Sequence, residues 1–331
     1  MSPVAWRIAR FLLIVSILSL GAAPASSETL REALAAKNLP IAGAKLANLD
    51  KNITSGAELD DASQFVIAYY VDDGTGLLKA PIFIDRFDWK HEEWKSATLA
   101  EAQARWEDVD VPCLGSIVSV TSIGDRLLLD THLSPSAGCT LILSHDMKME
   151  TSLYGWPVGR LGADALIYHR SQIHFAPVHP AEIALYDLRT KREITLFPPK
   201  PVSPLWRART LQLQGFYKGN EEWCNKNNDP CDPEYFDSSL GGAVATNEKE
   251  QALAFVISYE QIQMVQGEVQ KPSGPKDVLY VYRGVGEEAK MEYREMLLGD
   301  AKTRFGDVPL QNLLEPEMLL KIFGETPAKR P

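Results

Sequence analysis

From about residue 65 to residue 297 the chain alternates between short apolar segments and short polar ones. Segments such as FVIAYYV, SIVSVTS, ALAFVIS and VLYVYRG are rich in β-branched and aromatic residues and have the period of two that is typical of strands. Polar turn segments such as DDGTG, TNEKEQ and VGEEAK separate several of them. A dozen or more such strands predict an all-β fold.

Three segments have the composition or period of a helix instead. ETLREALAAKNL precedes the strands, TLAEAQARWED interrupts them, and the amphipathic EPEMLLKIFG follows them. In the middle segment, Thr98 and Glu101 have the spacing of a capping box, in which each side chain bonds an amide at the helix start. We therefore expect short helices before, within and after the strand-rich region.

A hairpin-like unit recurs among the strands: an apolar strand, a charged turn and a second short strand. Its copies start at Ile82, Leu141, Ile183 and Leu279, which are separated by 59, 42 and 96 residues. About 42 residues is the size of one β-propeller blade, and the longer gaps leave room for insertions. We predict a small β-propeller of four or five blades. A large β-sandwich is the alternative, because the sequence has no WD dipeptide to mark the blades.

The middle two copies are the most alike. A shift of 42 residues places THLSPSAGCTLILS on IHFAPVHPAEIALY, and His132 on His174. Two prolines and one leucine also coincide at this shift, and so do the apolar strands. His132 and His174 are therefore expected at equivalent places of two neighbouring blades, whereas His179 has no histidine partner.

The N-terminal segment has the three parts of a secretory signal peptide. Arg7 and Arg10 make its first part positive, an apolar run follows, and Ala23-Pro24-Ala25 supplies small residues for cleavage. The apolar run is shorter than the roughly 20 residues that a membrane helix needs. We expect cleavage and export to the periplasm or the extracellular space, with an uncleaved N-terminal anchor as the alternative.

These patterns divide the chain into four segments. The segments are a signal peptide (1–25), an N-terminal helical or irregular segment (26–63), a β-propeller-like domain (64–300) with an insert at 215–236, and a C-terminal helical segment and tail (301–331).

Charge limits the partners of the exported chain. The chain has 34 basic and 44 acidic residues, and loss of the signal peptide removes two arginines and no acid, so the formal net charge becomes −12. A chain with this net negative charge repels the phosphates of nucleic acids and of anionic membranes. We expect an envelope protein, a glycan or a small molecule as partner, no nucleic acid, and no insertion of the mature chain into a membrane.

Four cysteines in an exported chain favour disulfides, for which three pairings exist. Cys224 and Cys231 flank a polar, turn-forming stretch, so pairing them closes the shortest loop. Cys113 and Cys139 then form the second bond. A zinc site of four cysteines is disfavoured, because the paired short spacings of such sites are missing from the sequence.

The histidines and one aspartate are the first candidates for chemistry. Asp130, His132 and His174 lie in related strands, where they are weak candidates for a catalytic site facing a central funnel. His132, His174 and His179 are weak candidates for metal ligands, although no metal or other cofactor is predicted. The competing interpretation is structural, because a neutral imidazole can bond to backbone groups of neighbouring strands through one donor and one acceptor.

Carboxylates give a second catalytic hypothesis. Asp85, Glu182 and Asp187, together with Asp130, lie on or beside strands and supply the acid pairs that glycoside hydrolases use. Asp85 and Asp187 also have a structural interpretation, as residues that end a strand and bond the amides of a turn. Nucleophilic catalysis is disfavoured, because the sequence has no GxSxG motif and each cysteine is expected in a disulfide.

The insert GFYKGNEEWCNKNNDPCDPEYF combines polar and aromatic residues. Trp223 and Tyr235 within it, and His179 outside it, are weak candidates for ligand binding, since rigid loops with exposed aromatic side chains often contact ligands. The alternative is that the two aromatic residues pack beneath the loop as its own small core.

The sequence therefore favours an exported, non-catalytic binding or interaction module of the cell envelope. The alternative is a secreted hydrolase, possibly acting on glycans, with an Asp/His site at the centre of the β domain.

Overall fold

The computed structural model describes residues 28–71, 80–106, 109–134, 137–170, 178–179, 181–199, 236–261, 263–265, 268–270, 276–286 and 288–324. Within them the all-β prediction is confirmed, because strands dominate and the helices are short.

The strands and helices have the following bounds. The first ten strands are β1 (Ile53–Asp60), β2 (Gln64–Val71), β3 (Ile82–Asp88), β4 (Glu93–Leu99), β5 (Gln103–Trp106), β6 (Val109–Pro112), β7 (Ser116–Ile123), β8 (Arg126–Ser134), β9 (Ala137–Leu143) and β10 (Met149–Leu161). The others are β11 (Ala165–Arg170), β12 (Val178–His179), β13 (Ile183–Asp187), β14 (Arg192–Phe197), β15 (Phe236–Leu240), β16 (Ala245–Asn247), β17 (Ala252–Gln261), β18 (Gln263–Val265), β19 (Glu268–Gln270), β20 (Lys276–Arg283) and β21 (Glu292–Leu297). The helices are α1 (Leu30–Ala36), α2 (Leu298–Phe305), α3 (Leu310–Leu313) and α4 (Pro316–Phe323), with a 3-10 turn at Glu288–Lys290.

Most of the strands form four antiparallel meanders, which we name sheets I to IV. Sheet I is β1-β2-β3-β4, and sheet II is β7-β8-β9 with the first half of β10. The second half of β10 begins sheet III, which continues through β11, β13 and β14. Sheet IV contains β15-β17-β20-β21, with β12 parallel to β15 and β16 beside β17.

Strand β10 changes sheets at Gly155. Tyr154 pairs with Cys139 of sheet II, and the next residue, Gly155, pairs with Arg170 of sheet III. A Cβ atom at Gly155 would lie 2.2 Å from the backbone oxygen of His169. Glycine is therefore required at the point where this strand passes from one sheet to the next.

The sheets are stacked face to face in chain order. One apolar cluster joins sheets I and II, a second joins sheets II and III, and a third joins sheets III and IV. Strand β2 shows how a sheet can pack on both of its faces. Its residues Val66 and Ala68 face sheet II, whereas Phe65 and Ile67 face the opposite side. A strand that is buried on both faces has the continuous apolar sequence FVIAYYV rather than a strict alternation.

Helices cover both ends of the stack. The outer face of sheet I packs against Leu30 and Leu34 of α1. The outer face of sheet IV packs against α2, α3 and α4 through residues such as Leu314 and Ile322. The helices predicted at the two ends of the β region are thus confirmed. Strand pairing among the described residues does not establish a closed ring, so the propeller stays a prediction.

The four recurrent hairpins occupy the same place in their sheets. The segments that begin at Ile82, Leu141, Ile183 and Leu279 form the third and fourth strands of sheets I, II, III and IV. The first strand of the fold starts at Ile53, ahead of the boundary expected at residue 64.

The helix predicted for TLAEAQARWED is wrong. Thr98 belongs to β4 and pairs with Phe83, and β5 begins at Gln103. Leu99 and Ala104 are buried in the apolar cluster between sheets I and II. Burial of these side chains outweighs the modest helix propensity of the segment.

Cys113, in the connection from β6 to β7, and Cys139, in β9 of sheet II, form a disulfide, as predicted. Disulfides persist in oxidising compartments, so this bond indicates a protein that works outside the cytoplasm. Cys224 and Cys231 lie outside the described residues, and their pairing stays a prediction. Among the described helices, none has the length and apolar character needed to cross a membrane.

Candidate ligand-binding cleft

A cleft of about 950 Å³ opens between sheets III and IV, at the end where their turns meet. We call it the turn cleft. It is lined by Leu161, Ala163, Asp164, Ala165, Leu185, Asp187, Arg189, Thr190, Arg192, Ile194, Glu248, Gln251, Gly284, Gly286, Ala289 and Lys290. Its volume is within the range of small-molecule sites.

The inner part of the turn cleft is apolar. Leu161 and Leu185 are buried members of the cluster between sheets III and IV, and Ala165 and Ile194 are partly buried against it. The inner surface of the cleft is therefore continuous with the protein core.

Charged side chains surround this apolar surface. The cationic ones are Arg189 and Arg192 of sheet III and Lys290 of sheet IV. The carboxylates are Asp164 and Asp187 of sheet III, and Glu248 of sheet IV. Such a site, with an apolar interior and a few polar groups, is typical of pockets that bind and orient small ligands.

Asp187 fixes the turn that carries Arg189. Its Oδ1 accepts hydrogen bonds from the backbone amides of Arg189, at 2.8 Å, and Thr190, at 2.7 Å. The turn closes at Lys191, which has a positive φ of 56°. The sequence-based interpretation of Asp187 as a turn residue is confirmed, and the hydrogen bonds make this edge of the cleft rigid.

Two glycines let the turns of the cleft approach one another. A Cβ atom at Gly162 would lie 2.4 Å from Glu248 Oε1, and one at Gly286 would lie 2.6 Å from Gln251 Oε1. The Val285 amide also donates a hydrogen bond to the Gln251 carbonyl, at 3.0 Å. Turns that are remote in sequence therefore lie in close contact at the turn cleft.

Asp130, the first catalytic candidate, is buried in the middle of β8 with 6% of its surface exposed. Ser119 Oγ donates to its Oδ2 at 2.6 Å, and Thr140 Oγ1 donates to its Oδ1 at 2.8 Å. Burial raises the pKa of Asp130, while these two hydrogen bonds act in the opposite direction. The carboxylate therefore joins three adjacent strands of sheet II.

His132 lies two residues further along β8, on the same face as Asp130, and it is partly exposed. Its ring lies near that of Trp156, with centroids 6.4 Å apart and planes 23° apart. His174 lies outside the described residues, so the proximity of the three catalytic candidates stays a prediction. Only the backbone of His179 is described; it pairs with Asp237 in a parallel ladder.

The other predicted carboxylates lie in different surroundings. The interpretation of Asp85 as a turn residue is wrong. Asp85 is buried within β3, where the hydroxyls of Tyr69 and Ser96 donate hydrogen bonds to its two oxygens. The neighbouring Asp88 bonds the turn amides instead. Glu182 forms an ion pair of 3.1 Å with Arg170.

Trp223 and Tyr235 lie outside the described residues, and so does the loop that contains them. Their role in ligand binding stays a prediction. Among the described residues, no three histidine, cysteine, aspartate or glutamate side chains are grouped as metal ligands would be. The described residues therefore give no support for a metal site at His132, His174 and His179, and that site stays a prediction.

The sequence reasoning missed the turn cleft. Its cationic residues belong to ordinary turn segments, LRTKR in sheet III and GEEAK in sheet IV, about 100 residues apart. Each turn was visible in the sequence, but their proximity follows from the order in which the sheets stack.

No protein-family model and no curated relative matches the chain. Among solved structures, it is similar to Kuenenia stuttgartiensis hydrazine synthase at 7% identity and a TM-score of 0.32, covering 76% of this chain and 55% of that one. It is also similar to Pyrococcus horikoshii acylaminoacyl peptidase at 10% identity and a TM-score of 0.20, covering 76% of this chain and 54% of that one. The chain spans about half the length of these solved chains. At such TM-scores the likeness identifies neither a fold nor an activity.

Proposed function

We propose that this protein is an exported, non-catalytic binding module of the cell envelope and that the turn cleft is its ligand site. The observation that carries the proposal is the combination of an apolar interior, continuous with the core, and a rim of three cationic and three anionic side chains. This combination suits recognition of a small molecule, a peptide segment or a glycan fragment.

Two observations support export. The N-terminal segment has the parts of a signal peptide, and the Cys113–Cys139 disulfide suits an oxidising compartment such as the periplasm or the extracellular space. Export is tested by N-terminal sequencing of the protein recovered from its native envelope. The expected mature chain begins directly after Ala25, and a chain that still carries residues 1–25 in the cytoplasm would overturn this part of the proposal.

The propeller interpretation forms part of the same proposal. Four four-stranded meanders stacked in chain order resemble consecutive blades. Because helices cover the outer faces of sheets I and IV, we infer an open arc of blades rather than a ring in which these two sheets pack together. The turn cleft then lies between the last two blades.

The hydrolase hypothesis is kept as the second candidate because burial raises the pKa of Asp130, as a general acid requires. We favour binding because both oxygens of Asp130 accept hydrogen bonds from Ser119 and Thr140. A glycan-hydrolysis assay of the wild-type protein and Asp130→Asn separates the two. Turnover by the wild type that Asp130→Asn abolishes would establish the hydrolase instead.

The ligand site is tested by filling the cleft. Ala289 lines it and is exposed, so Ala289→Trp should obstruct it; Ala36→Trp, on the exposed face of α1, is the matched control. Saturation-transfer NMR against a library of envelope-derived glycans, peptides and small metabolites gives the readout. We expect compounds that bind the wild type and Ala36→Trp, and lose their signal with Ala289→Trp. Binding that is equal in all three proteins would overturn the assignment of the cleft.

A further inference from the structure

We propose a second ligand site, between sheets I and II, in which Arg86 binds a small oxyanion that also donates a hydrogen bond. Hydroxy-carboxylates and hydrogen phosphate share this chemistry. The site is separate from the turn cleft, which lies between sheets III and IV, so the proposal goes beyond the function proposed above and does not depend on it. The observation that carries it is a buried guanidinium that the described residues engage through one nitrogen only.

Arg86 lies in β3 and extends from sheet I to sheet II. It pairs with Val66 of β2 and Lys95 of β4, and it is on the same face of β3 as Ile84, which packs against sheet II. Its Nη1 donates a hydrogen bond to the backbone carbonyl of His145 at 2.6 Å and lies 3.2 Å from His145 Nδ1. Because His145 belongs to the turn between β9 and β10, the guanidinium is held between the two sheets.

The opposite edge of this guanidinium is not engaged by the described residues. Arg86 is 7% exposed, and its Nε is buried without a hydrogen-bond partner. Among the described residues, no carboxylate forms an ion pair with Arg86. Nε–H and Nη2–H point in the same direction and form the fork that binds two oxygens of a carboxylate or a phosphate. Since a buried cation is costly without acceptors for its donors, this fork favours an oxyanion.

Gln64 supplies a buried acceptor on the same face of sheet I. It precedes Val66 by two residues in β2, so its side chain is diagonal to that of Arg86, within reach of long side chains. Gln64 is also 7% exposed, and its Oε1 is buried without a partner. Its Nε2 donates to Asp61 Oδ2 at 3.4 Å, which fixes the orientation of the amide. A ligand with a donor beside its anionic group would pair with both side chains.

The acidic groups of the surrounding turns do not form ion pairs with this guanidinium. Asp61 and Asp88 accept amides of their own turns, and Asp88 also pairs with a histidine of its turn at 2.9 Å. Asp146 pairs with Lys95 at 3.3 Å. The others are the exposed Asp60, Glu92, Glu93 and Asp125, and Glu150, which pairs with Arg126 at 3.0 Å.

The anion is therefore favoured by the buried fork and not by the net charge of these turns. Water screens the exposed carboxylates, whereas Arg86 and Gln64 would act on a ligand within the protein, where charges and hydrogen bonds are stronger. The contact of Arg86 with His145 also positions the fork before a ligand binds, which lowers the entropy lost on binding.

NMR spectroscopy of the arginine side chains tests the site directly. The Nε–H signal of Arg86 is assigned by its loss in Arg86→Lys, and that of Arg126, whose Nε already donates to Glu150, is the internal control. Acetate and glycolate form one matched pair of ligands, and sulfate and hydrogen phosphate form another, since the second member of each pair adds a hydroxyl donor. Each is titrated into the purified wild-type protein at constant ionic strength, with chloride as the reference.

We expect glycolate or hydrogen phosphate to shift the Arg86 signal with saturation in the millimolar range and to leave the Arg126 signal unchanged. The partner ligand without the donor should bind about threefold to tenfold more weakly, because it leaves Gln64 Oε1 unpaired. Arg86→Lys keeps the charge but loses the fork, so binding followed through the backbone amide of His145 should weaken about tenfold. Circular dichroism establishes that this variant is folded as the wild type is.

The contrary outcomes are equally distinct. If none of these anions shifts the Arg86 signal of the wild type, or if the Arg126 signal shifts in parallel, Arg86 only links the two sheets and the proposal is wrong. Equal affinities within each matched pair would refute the role of Gln64. Because the readout is a side chain between sheets I and II, a failure here leaves the test of the turn cleft with Ala289→Trp unaffected.

Discussion

At the scale of single residues, carboxylates and hydroxyl groups join the strands of every sheet. One such pair occurs in each of sheets I to IV: Asp85 with Ser96, Asp130 with Ser119, Glu193 with Tyr168, and Asp277 with Ser258. For the buried Asp85 and Asp130, these hydroxyls supply hydrogen bonds that offset the cost of burying a carboxylate. Three of the pairs join adjacent strands, whereas Tyr168 of β11 and Glu193 of β14 lie on either side of β13, and Glu193 also forms an ion pair with Arg170.

Asp130 allows a test of this role through pH. Because burial raises its pKa in the folded protein above the value of the unfolded chain, the folded state binds more protons between the two values. The free energy of unfolding contributed by Asp130 therefore falls as pH rises from about 4 through the folded-state pKa. Asp130→Asn removes this dependence, so in urea unfolding its stability relative to the wild type should increase between about pH 4 and pH 7.

Two further variants make the test specific. Asp130→Ala removes the same pH dependence but leaves the Ser119 and Thr140 hydroxyls without their acceptor, so it should be about 1 to 3 kcal/mol less stable than Asp130→Asn at any pH. Asp85→Asn acts at the buried carboxylate of sheet I, where burial also raises the pKa, and should flatten the pH dependence in the same direction. A parallel pH dependence of wild type and Asp130→Asn would show that Asp130 does not titrate in this range.

At the scale of strands and helices, sequence reasoning succeeded where the signal was local. Alternating apolar residues with a charged turn identified the third and fourth strands of all four sheets. The same reasoning failed at Thr98 and Glu101, which lie at the end of β4 and in the connection to β5, and it overlooked the capping box at Thr29 and Glu32 of α1. Spacing alone does not show whether a segment is buried between two sheets.

The Cys113–Cys139 disulfide links β9 of sheet II to the segment that precedes β7. Cys113 and Cys139 are 26 residues apart and completely buried. Replacement of both by serine should lower the free energy of unfolding by about 3 to 4 kcal/mol, because the unfolded chain regains the freedom of that loop. The comparison variant Cys224→Ser/Cys231→Ser opens a shorter predicted loop and should lose less, about 2 to 3 kcal/mol. Urea unfolding monitored by fluorescence measures both.

Helix α4 is held on sheet IV by an aromatic ring between two guanidinium groups. The ring centroid of Phe323 lies 4.2 Å from Arg283 Cζ and 4.9 Å from Arg294 Cζ. Phe323→Leu keeps most of the apolar volume and should lose about 1 to 2 kcal/mol. Phe305→Leu, where a single guanidinium from Arg304 covers the ring, should lose less. Thermal unfolding compares the two, and equal losses would show that the cations contribute little.

At the scale of the whole molecule, the turn cleft results from the order in which the sheets stack, and this order could not be derived from the sequence. The turn cleft requires that sheets III and IV pack together and that their turns lie at the same end. The residues that line it are spread along the chain between Leu161 and Lys290, so no local sequence motif identifies the site. The strand patterns indicated an all-β fold of four or five recurrent units with helices at both ends, whereas the faces that the helices cover and the cleft follow from the packing of complete sheets.

The C-terminal helices protect the last sheet. Val256, Leu279 and Val281 on its outer face are buried against α2, α3 and α4. A chain that ends after Leu297 would expose these side chains to water and should self-associate in analytical ultracentrifugation. A chain that ends after Gly324 keeps every described contact of the helices and should stay in the oligomeric state of the full protein. A monodisperse, unchanged state of the shorter chain would show that the helices are dispensable.

Because each sheet packs chiefly against the sheet that precedes it in the chain, the fold can assemble in order during synthesis. Sheet I needs only α1 on one side and sheet II on the other, and sheet II follows within the next 55 residues after Leu99. In the proposed open arc, no early strand among the described residues has to wait for the C-terminus to reach it, as the first strand of a closed ring would. Because most paired strands are consecutive in the chain, their contacts are closer in sequence than contacts between the two termini would be, which favours folding and limits the time during which apolar strands are exposed.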